Sequence, residues 1–142
     1  MKITNSKSPY LTSTMQKKRT KRTARFKYSL ARTEPGAHYE GEIVDSKRHG
    51  IGFCRWKDNS SYIGDWAFGV RHGNGVFKTD GDNAMTYEGG WVNDIRHGKG
   101  RLTLANGDLT IGTWENDCLD GVAKFKKANE KDFEEVLFRN DI

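Results

Sequence analysis

The chain has little cysteine, little proline and no long apolar run. Two cysteines in 142 residues, Cys54 and Cys118, are too few for a disulfide framework, so we expect free thiols and a reducing compartment. No stretch approaches the roughly 18 apolar residues of a membrane-spanning helix, and the N-terminus carries no apolar run of signal-peptide length. These absences favour a cytoplasmic protein over a secreted or membrane-spanning one.

Acidic residues are nearly missing from the first part of the chain. Residues 1–34 hold ten Lys or Arg and a single acid, Glu34, which gives them a net charge of +9. Because the whole chain carries +5, the other 108 residues carry −4. The segment also has too few apolar side chains to bury a core of its own. With the break at Pro35-Gly36, residues 1–36 are predicted to be an extended basic arm.

A basic arm of this charge needs a polyanionic surface. An acidic filament such as tubulin, an anionic membrane and a nucleic acid all qualify, and the arm could also be a nuclear localisation run or simply solvated. Nucleic acid ranks last, because the rest of the chain is acidic. Aromatic residues interleave with basic ones near the end of the arm. The predicted contact residues are Lys17, Lys18, Arg19, Lys21, Arg22, Arg25, Phe26, Lys27 and Tyr28.

Glycine is plentiful where apolar residues are scarce. Only 35% of the residues are hydrophobic and the mean hydropathy is −0.84, whereas 15 of the 16 glycines lie from Gly41 onward. Such a composition predicts a thin core, and therefore a single curved sheet with exposed edges and an exposed face. An arrangement of this kind favours protein–protein contacts.

The clearest local pattern lies in residues 87–107. Tyr87, Gly89 and Trp91 are two residues apart, so a strand places them on one face. A polar break follows at residues 93–96, and Asn-Gly at residues 106–107 is a strong hairpin signal. This stretch is predicted to be a β-hairpin with an aromatic and glycine face.

The same pattern recurs with a nearly fixed period. Copies begin at Tyr39, Tyr62 and Tyr87, and a decayed fourth copy begins at Thr110. A fixed period with atypical end copies is typical of a stacked repeat array. The repeated positions are Tyr39, Gly41, Gly50, Gly52, Tyr62, Gly64, Trp66, Gly73, Gly75, Tyr87, Gly89, Trp91, Gly98, Gly100, Gly112, Trp114 and Gly121.

Tyr-x-Gly-x-Trp, a gap and then His-Gly-x-Gly resembles the MORN repeat (membrane occupation and recognition nexus). The resemblance covers roughly residues 39–125, with Ile43 in place of Trp in the first copy. It implies an all-β fold, a single-layer antiparallel meander of about 3.5 stacked MORN hairpins spanning residues 37–126. It also places relatives in ciliary radial spokes, cytoskeletal rings, lipid kinases and membrane junctions.

Glycines inside strands need a physical reason, because they weaken a strand unless something packs closely over them. We predict that each tyrosine and tryptophan ring lies across neighbouring glycines, which have no Cβ to obstruct it. One hairpin alone is marginal in water, so the copies must bury these rings against one another. The rings are then core, although a ring-lined groove that grips a partner peptide is an alternative.

The three His-Gly steps do not suit a metal. Equivalent positions in successive hairpins lie about 9–10 Å apart, whereas zinc ligands must lie within about 4 Å of one another. We therefore expect His49, His72 and His97 to bind backbone at the bends. Gly98-Lys99-Gly100 resembles part of a phosphate loop but recurs at the repeat period, which marks it as architecture. No catalytic motif is present, so we expect a non-enzyme without cofactor, metal or small-molecule substrate.

Two further features concern the outside of the sheet. The face opposite the rings carries an apolar patch that either docks a partner or is covered by the chain's own tail: Ile51, Phe53, Ile63 and Val76. Residues 127–142 change period, because Phe133, Val136 and Leu137 fit helical spacing. They are predicted to form a short capping helix at the last sheet edge, or to insert in a neighbouring subunit.

These patterns together favour a structural role. We expect a scaffold or adaptor subunit of a cytoskeletal assembly, in the cytoplasm and in the axoneme of a cilium or flagellum, with the basic arm anchored on an acidic partner such as tubulin. The alternatives are an adaptor for anionic membranes and a regulatory subunit that presents an enzyme partner. The inference from the fold to this cellular location rests on analogy with other members of the family.

Overall fold

The computed structural model describes residues 27–29 and 36–139. Its described part forms ten strands and no helix. The strands are β1 (Lys27–Ser29), β2 (His38–Val44), β3 (Lys47–Arg55), β4 (Ser61–Ala67), β5 (Val70–Lys78), β6 (Met85–Val92), β7 (Ile95–Leu104), β8 (Leu109–Glu115), β9 (Cys118–Lys126) and β10 (Glu134–Phe138).

All ten strands belong to one sheet, in sequence order, and every neighbouring pair is antiparallel. The sequence prediction of an all-β, single-layer meander of stacked hairpins is therefore confirmed. β2 to β9 form four hairpins, one for each predicted copy, and β1 and β10 add one strand at either edge. Because each strand pairs only with its neighbours and each hairpin packs against the next, the fold is quasi-one-dimensional.

Each hairpin of the array closes with a two-residue turn whose central residues both have positive φ. In the third hairpin these are Asn93 (φ 49°) and Asp94 (φ 69°). This is the primed turn type that matches the twist of paired strands, and Asn and Asp tolerate it well. The second hairpin has the same positive φ values but other residues, Phe68 (φ 47°) followed by Gly69 (φ 95°).

A register shift recurs in every copy, between the repeat glycine and the Trp position in the first three copies and one residue earlier in the fourth. In the second copy the pairing slips between Gly64 and Trp66, opposite Gly73, which has φ 91°. A bulge of this kind re-aims the side chains next to it. The glycine of each His-Gly step is thus explained by its backbone conformation, which side-chain-bearing residues rarely adopt.

The C-terminal helix predicted for residues 127–142 is wrong. Residues Glu134–Phe138 form β10, which pairs with β9 from Phe125 to Gly121. The free edge of β9 would otherwise present unpaired N–H and C=O groups, which a strand satisfies directly and a helix cannot. A lone helix of that length is also marginal in water. All five residues of β10 are exposed, so β10 covers an edge without adding to the core.

Candidate protein-docking surface

One face of the sheet carries a continuous ladder of alternating tyrosine and tryptophan rings. Trp66 meets Tyr39 and Tyr62 edge-on, with ring centroids 5.8 and 5.0 Å apart. Trp91 does the same between Tyr62 and Tyr87, at 5.5 and 5.2 Å. Edge-to-face contact is the favoured geometry of aromatic pairs. The ladder ends on Trp114, whose ring centroid is 5.2 Å from that of Tyr87.

The tyrosines of the ladder lie directly over glycines of the paired strands. A Cβ added at Gly52 would overlap the Tyr39 ring, and one at Gly75 would overlap the ring of Tyr62. All three repeat tyrosines are fully buried. The prediction that rings pack across glycines is therefore confirmed for the tyrosines, and this packing buries the ring face of the one-layer sheet.

The buried tyrosine hydroxyls are satisfied by backbone. Tyr39 donates to the carbonyl of Glu42 at 2.7 Å, and Tyr62 donates to that of Asp65 at 2.9 Å. Burial raises the pKa of Tyr87 to about 12 and also raises the pKa of Tyr39 and Tyr62, because the interior disfavours the phenolate.

In each of the first three repeats, an arginine side chain donates hydrogen bonds to the turn of the following hairpin. The Nε of Arg71 donates to Oδ1 of Asp94 at 3.0 Å, and its guanidinium lies 4.4 Å from the Trp91 ring centroid. Arg96 and Asp117 repeat the pair at 2.8 Å. Burial tends to raise the pKa of the Asp117 carboxyl, but the hydrogen bonds from Arg96 outweigh it and hold that pKa below its usual value.

The first arginine of the series behaves differently. The turn of the second hairpin has Gly69 at the position where the later turns have aspartate. Arg48 therefore donates to the Gly69 carbonyl at 3.3 Å, and it also donates to Sγ of Cys54 at 3.4 Å. Its guanidinium lies 4.6 Å from the ring centroid of Trp66. Arg48 is thus buried against the ladder at the end of the array nearest the basic arm.

A groove of about 250 Å³ opens on the ring face between the first repeats. Its walls combine aromatic rings with arginine, serine and aspartate, and aromatic residues and arginine are enriched at protein–protein contact surfaces. Its lining residues come from three strands and two connections: Arg48, Trp56, Ser60, Trp66, Arg71, Phe77 and Asp94. Trp56 and Phe77 are only partly buried, so their rings form part of the groove surface.

The sequence analysis missed most of this groove. Arg48 and Arg71 could have been found, because an arginine precedes every His-Gly step. Trp56 has no counterpart in the other copies, so the repeat pattern does not single it out. Asp94 reaches the groove from the next repeat, which only the stacking of the hairpins shows.

Two of the three repeat histidines bind the bends as expected. Nδ1 of His49 accepts from the Phe68 N–H at 3.2 Å, and Nδ1 of His72 accepts from the Asn93 N–H at 3.4 Å. Each therefore ties its strand to the turn of the following repeat. Within residues 36–139, no three His, Cys, Asp or Glu side chains are grouped as metal ligands.

The predicted apolar patch lies on the opposite face. Ile51 is fully buried, and Phe53, Ile63 and Val76 form a cluster that is 6–9% exposed. The four side chains are therefore brought together, while their role in docking stays a prediction.

The predicted contact residues of the arm fall mostly outside the described residues. Lys17 to Phe26 lie there, whereas Lys27 and Tyr28 belong to β1, whose backbone pairs with β2. Of the two cysteines, Cys54 is a buried free thiol and Cys118 an exposed one. No helix in the described part of the chain is long and apolar enough to cross a membrane.

The recurring hairpins, with their shared ring ladder, define a repeat protein whose units stack edge to edge. A family model for the MORN repeat matches residues 39–61, 62–83 and 87–109, and the chain belongs to the MORN-repeat family. It is also similar to MORN repeat-containing protein 3 of Xenopus laevis, with 40% identity over 53 residues. That match spans 37% of this chain and 22% of the relative, so the chain covers about a fifth of the relative's length.

Proposed function

We propose that the protein is a non-catalytic structural adaptor subunit of a cytoskeletal assembly. The observation that carries the proposal is the open groove beside the ring ladder, whose surface includes the partly buried rings of Trp56 and Phe77. The ladder beneath it is buried and packed ring against ring, and a site backed by packed side chains loses less conformational freedom on binding. MORN repeats generally serve in protein or membrane-lipid interactions, and a docking role agrees with that.

In this proposal the basic arm anchors the sheet on an acidic protein surface. Ten Lys or Arg in residues 1–34 supply the charge, and tubulin is an abundant cytoskeletal protein with acidic segments. The location proposed is the cytoplasmic cytoskeleton, in the axoneme of a cilium or flagellum.

The second candidate is an adaptor for anionic membranes, which the same charge favours. Each basic residue near an anionic leaflet contributes about 1 kcal/mol, so ten hold a protein firmly without a lipid anchor. The two candidates differ in the surface recognised, and not in the residues that carry the charge.

Co-sedimentation separates them. The full chain is spun with microtubules and, separately, with vesicles of phosphatidylserine and phosphatidylcholine, at low and physiological salt. The test variant replaces Lys17, Lys18, Arg19, Lys21 and Arg22 with Gln, and the matched control swaps Lys and Arg at the same five positions. Pelleting with microtubules at physiological salt, lost in the Gln variant and kept in the control, supports the cytoskeletal adaptor. Pelleting with vesicles alone overturns it in favour of the membrane adaptor.

A further inference from the structure

The last strand of the described sheet, β10, has one edge that no described strand pairs with. β9 pairs with the other edge, along all five residues from Glu134 to Phe138. Each of the five is exposed, and among them Val136, Leu137 and Phe138 are 39, 57 and 36% exposed. The backbone N–H and C=O groups along this edge can therefore accept a further strand.

β10 lacks most of the features that keep sheet edges from pairing. Natural proteins protect an edge with a very short strand, lysine, proline or a β-bulge. β10 contains neither lysine nor proline, and its pairing with β9 runs without a register shift. By contrast, β1 at the opposite end of the sheet is three residues long and begins with Lys27. The two ends of the sheet therefore differ, and only the β10 end is suited to strand pairing.

We propose that β10 pairs antiparallel with β10 of a second copy of this chain, about a two-fold axis at Leu137. A two-fold axis perpendicular to the sheet brings the same edge of both copies together, and residues that lie opposite each other then share a face. The pairing joins two ten-stranded sheets into one continuous sheet. The ring ladders of both copies lie on the same side of it.

The sequence around β10 is complementary to itself in this register. With Leu137 opposite its own counterpart, Val136 lies opposite Phe138, and Glu135 lies opposite Arg139 of the second copy. Cross-strand pairs of both kinds stabilise a sheet, and each occurs twice by symmetry. Moving the axis to Val136 puts Glu135 opposite Leu137, and moving it to Phe138 puts Leu137 opposite Arg139. A strand that matches itself in one register favours a second copy over a foreign strand.

The same register continues an exposed apolar row on the face opposite the ladder. Leu137 pairs with Val122 of β9, and these are the two most exposed aliphatic side chains of residues 36–139, at 57 and 56%. In the pair of copies the row runs across four strands, from Val122 through both Leu137 side chains to the second Val122. Pairing therefore covers part of this apolar surface. An interface one strand wide is small, so the dimer is weak and depends on concentration.

Charge reversal in the full chain tests the register by sedimentation velocity, with reductant present because Cys118 is exposed. Glu135→Arg and Arg139→Glu each set like charges opposite one another at two positions, and each should raise the dissociation constant at least about tenfold. An equal mixture of the two variants should recover association, because each reversed charge then meets its complement. Glu135 also lies beside Lys124 of β9. Mixing cannot restore that contact within one chain, so recovery reports the contact between chains.

A second pair of variants tests the axis without reversing a charge pair. Leu137→Lys sets two lysines opposite each other and should abolish association, whereas Ile111→Lys, on the same face but two strands further in, should leave it unchanged. Circular dichroism checks that every variant keeps its sheet. A full chain that stays monomeric up to about 1 mM overturns the proposal. Association that survives both charge reversals, or that the mixture does not recover, overturns it as well.

Discussion

Arg71 and Asp94 join successive repeats through one carboxylate oxygen. The backbone N–H of Arg71 donates to Oδ1 of Asp94 at 2.8 Å, and its Nε donates to the same atom at 3.0 Å. Nη2 of Arg71 reaches the Asp94 carbonyl at 3.1 Å. The arginine also covers the Trp91 ring. One side chain thus fixes the turn of the next hairpin and covers a rung of the ladder.

Loss of the Asp94 charge should loosen this connection. Asp94→Asn keeps a residue that tolerates the turn but removes the ion, and we expect the free energy of unfolding to fall by about 1 kcal/mol, because the half-exposed pair is partly screened. Urea unfolding of the full chain measures it. Asp82→Asn, in the exposed connection between β5 and β6, is the control and should change little. An equal fall in both variants would contradict a specific contact.

Gly75→Ala should be severely destabilising. The added methyl group would overlap the Tyr62 ring in the fully packed ladder, and we expect a loss of about 3 kcal/mol. The matched control is Gly98→Asn, because nothing lies within 4 Å of a Cβ there and Asn tolerates its φ of 79°. The control should cost less than about 1 kcal/mol. Thermal unfolding compares the two, and similar losses would show that ring-over-glycine packing is unimportant.

The repeat tyrosines should make the fold sensitive to alkali. Their pKa is raised by burial in the folded state, so above about pH 10 the unfolded chain releases protons that the folded protein still holds. Stability is fully present below that pH and falls as the pH rises, by up to about 4 kcal/mol per pH unit for three groups. Tyrosinate absorbance and circular dichroism should change together. Tyr87→Phe should reduce the slope by about a third, and early ionisation of all tyrosines without unfolding would refute the account.

A substitution in the turn of the second hairpin should stabilise the protein. Phe68 has φ 47° and is 60% exposed, in a turn where the third and fourth hairpins use Asn. A left-handed conformation costs an ordinary residue about 1–2 kcal/mol, and Asn less. Phe68→Asn should therefore raise the free energy of unfolding by about 0.5–1 kcal/mol, despite losing the ring contact with His49. Phe68→Val should lower it in the same chemical denaturation series. A gain for Val would show that the backbone is not the cause.

The repeat architecture could be predicted because its physical causes are local. Alternation puts Tyr62, Gly64 and Trp66 on one face, and glycine weakens a strand unless something packs closely over it, so the hairpins and the packing of rings over glycines could be predicted from spacing. The resemblance to the MORN repeat added the single-layer meander, and only the structure shows the edge-to-face ladder. The turn residues likewise marked the bends. These features need only neighbours in sequence or the next identical copy.

The C-terminal strand and the groove could not be predicted in the same way. Phe133, Val136 and Leu137 fit helical spacing, but β10 pairs with the edge of β9 instead. The sequence of residues 127–142 contains no information about that edge. The groove joins Trp56 of one connection to Asp94 of a later turn. Its geometry depends on how far each hairpin is offset from the last, which the repeat period does not specify.

The most direct test of the adaptor function is binding to microtubules whose acidic C-terminal tails have been removed by subtilisin. The full chain is titrated onto intact and cleaved microtubules at physiological salt, and the bound fraction is measured by pelleting. If the basic arm anchors the sheet on acidic tubulin segments, binding is saturable on intact microtubules and at least tenfold weaker on cleaved ones. Equal binding to both, or binding to neither, would contradict the proposed anchoring.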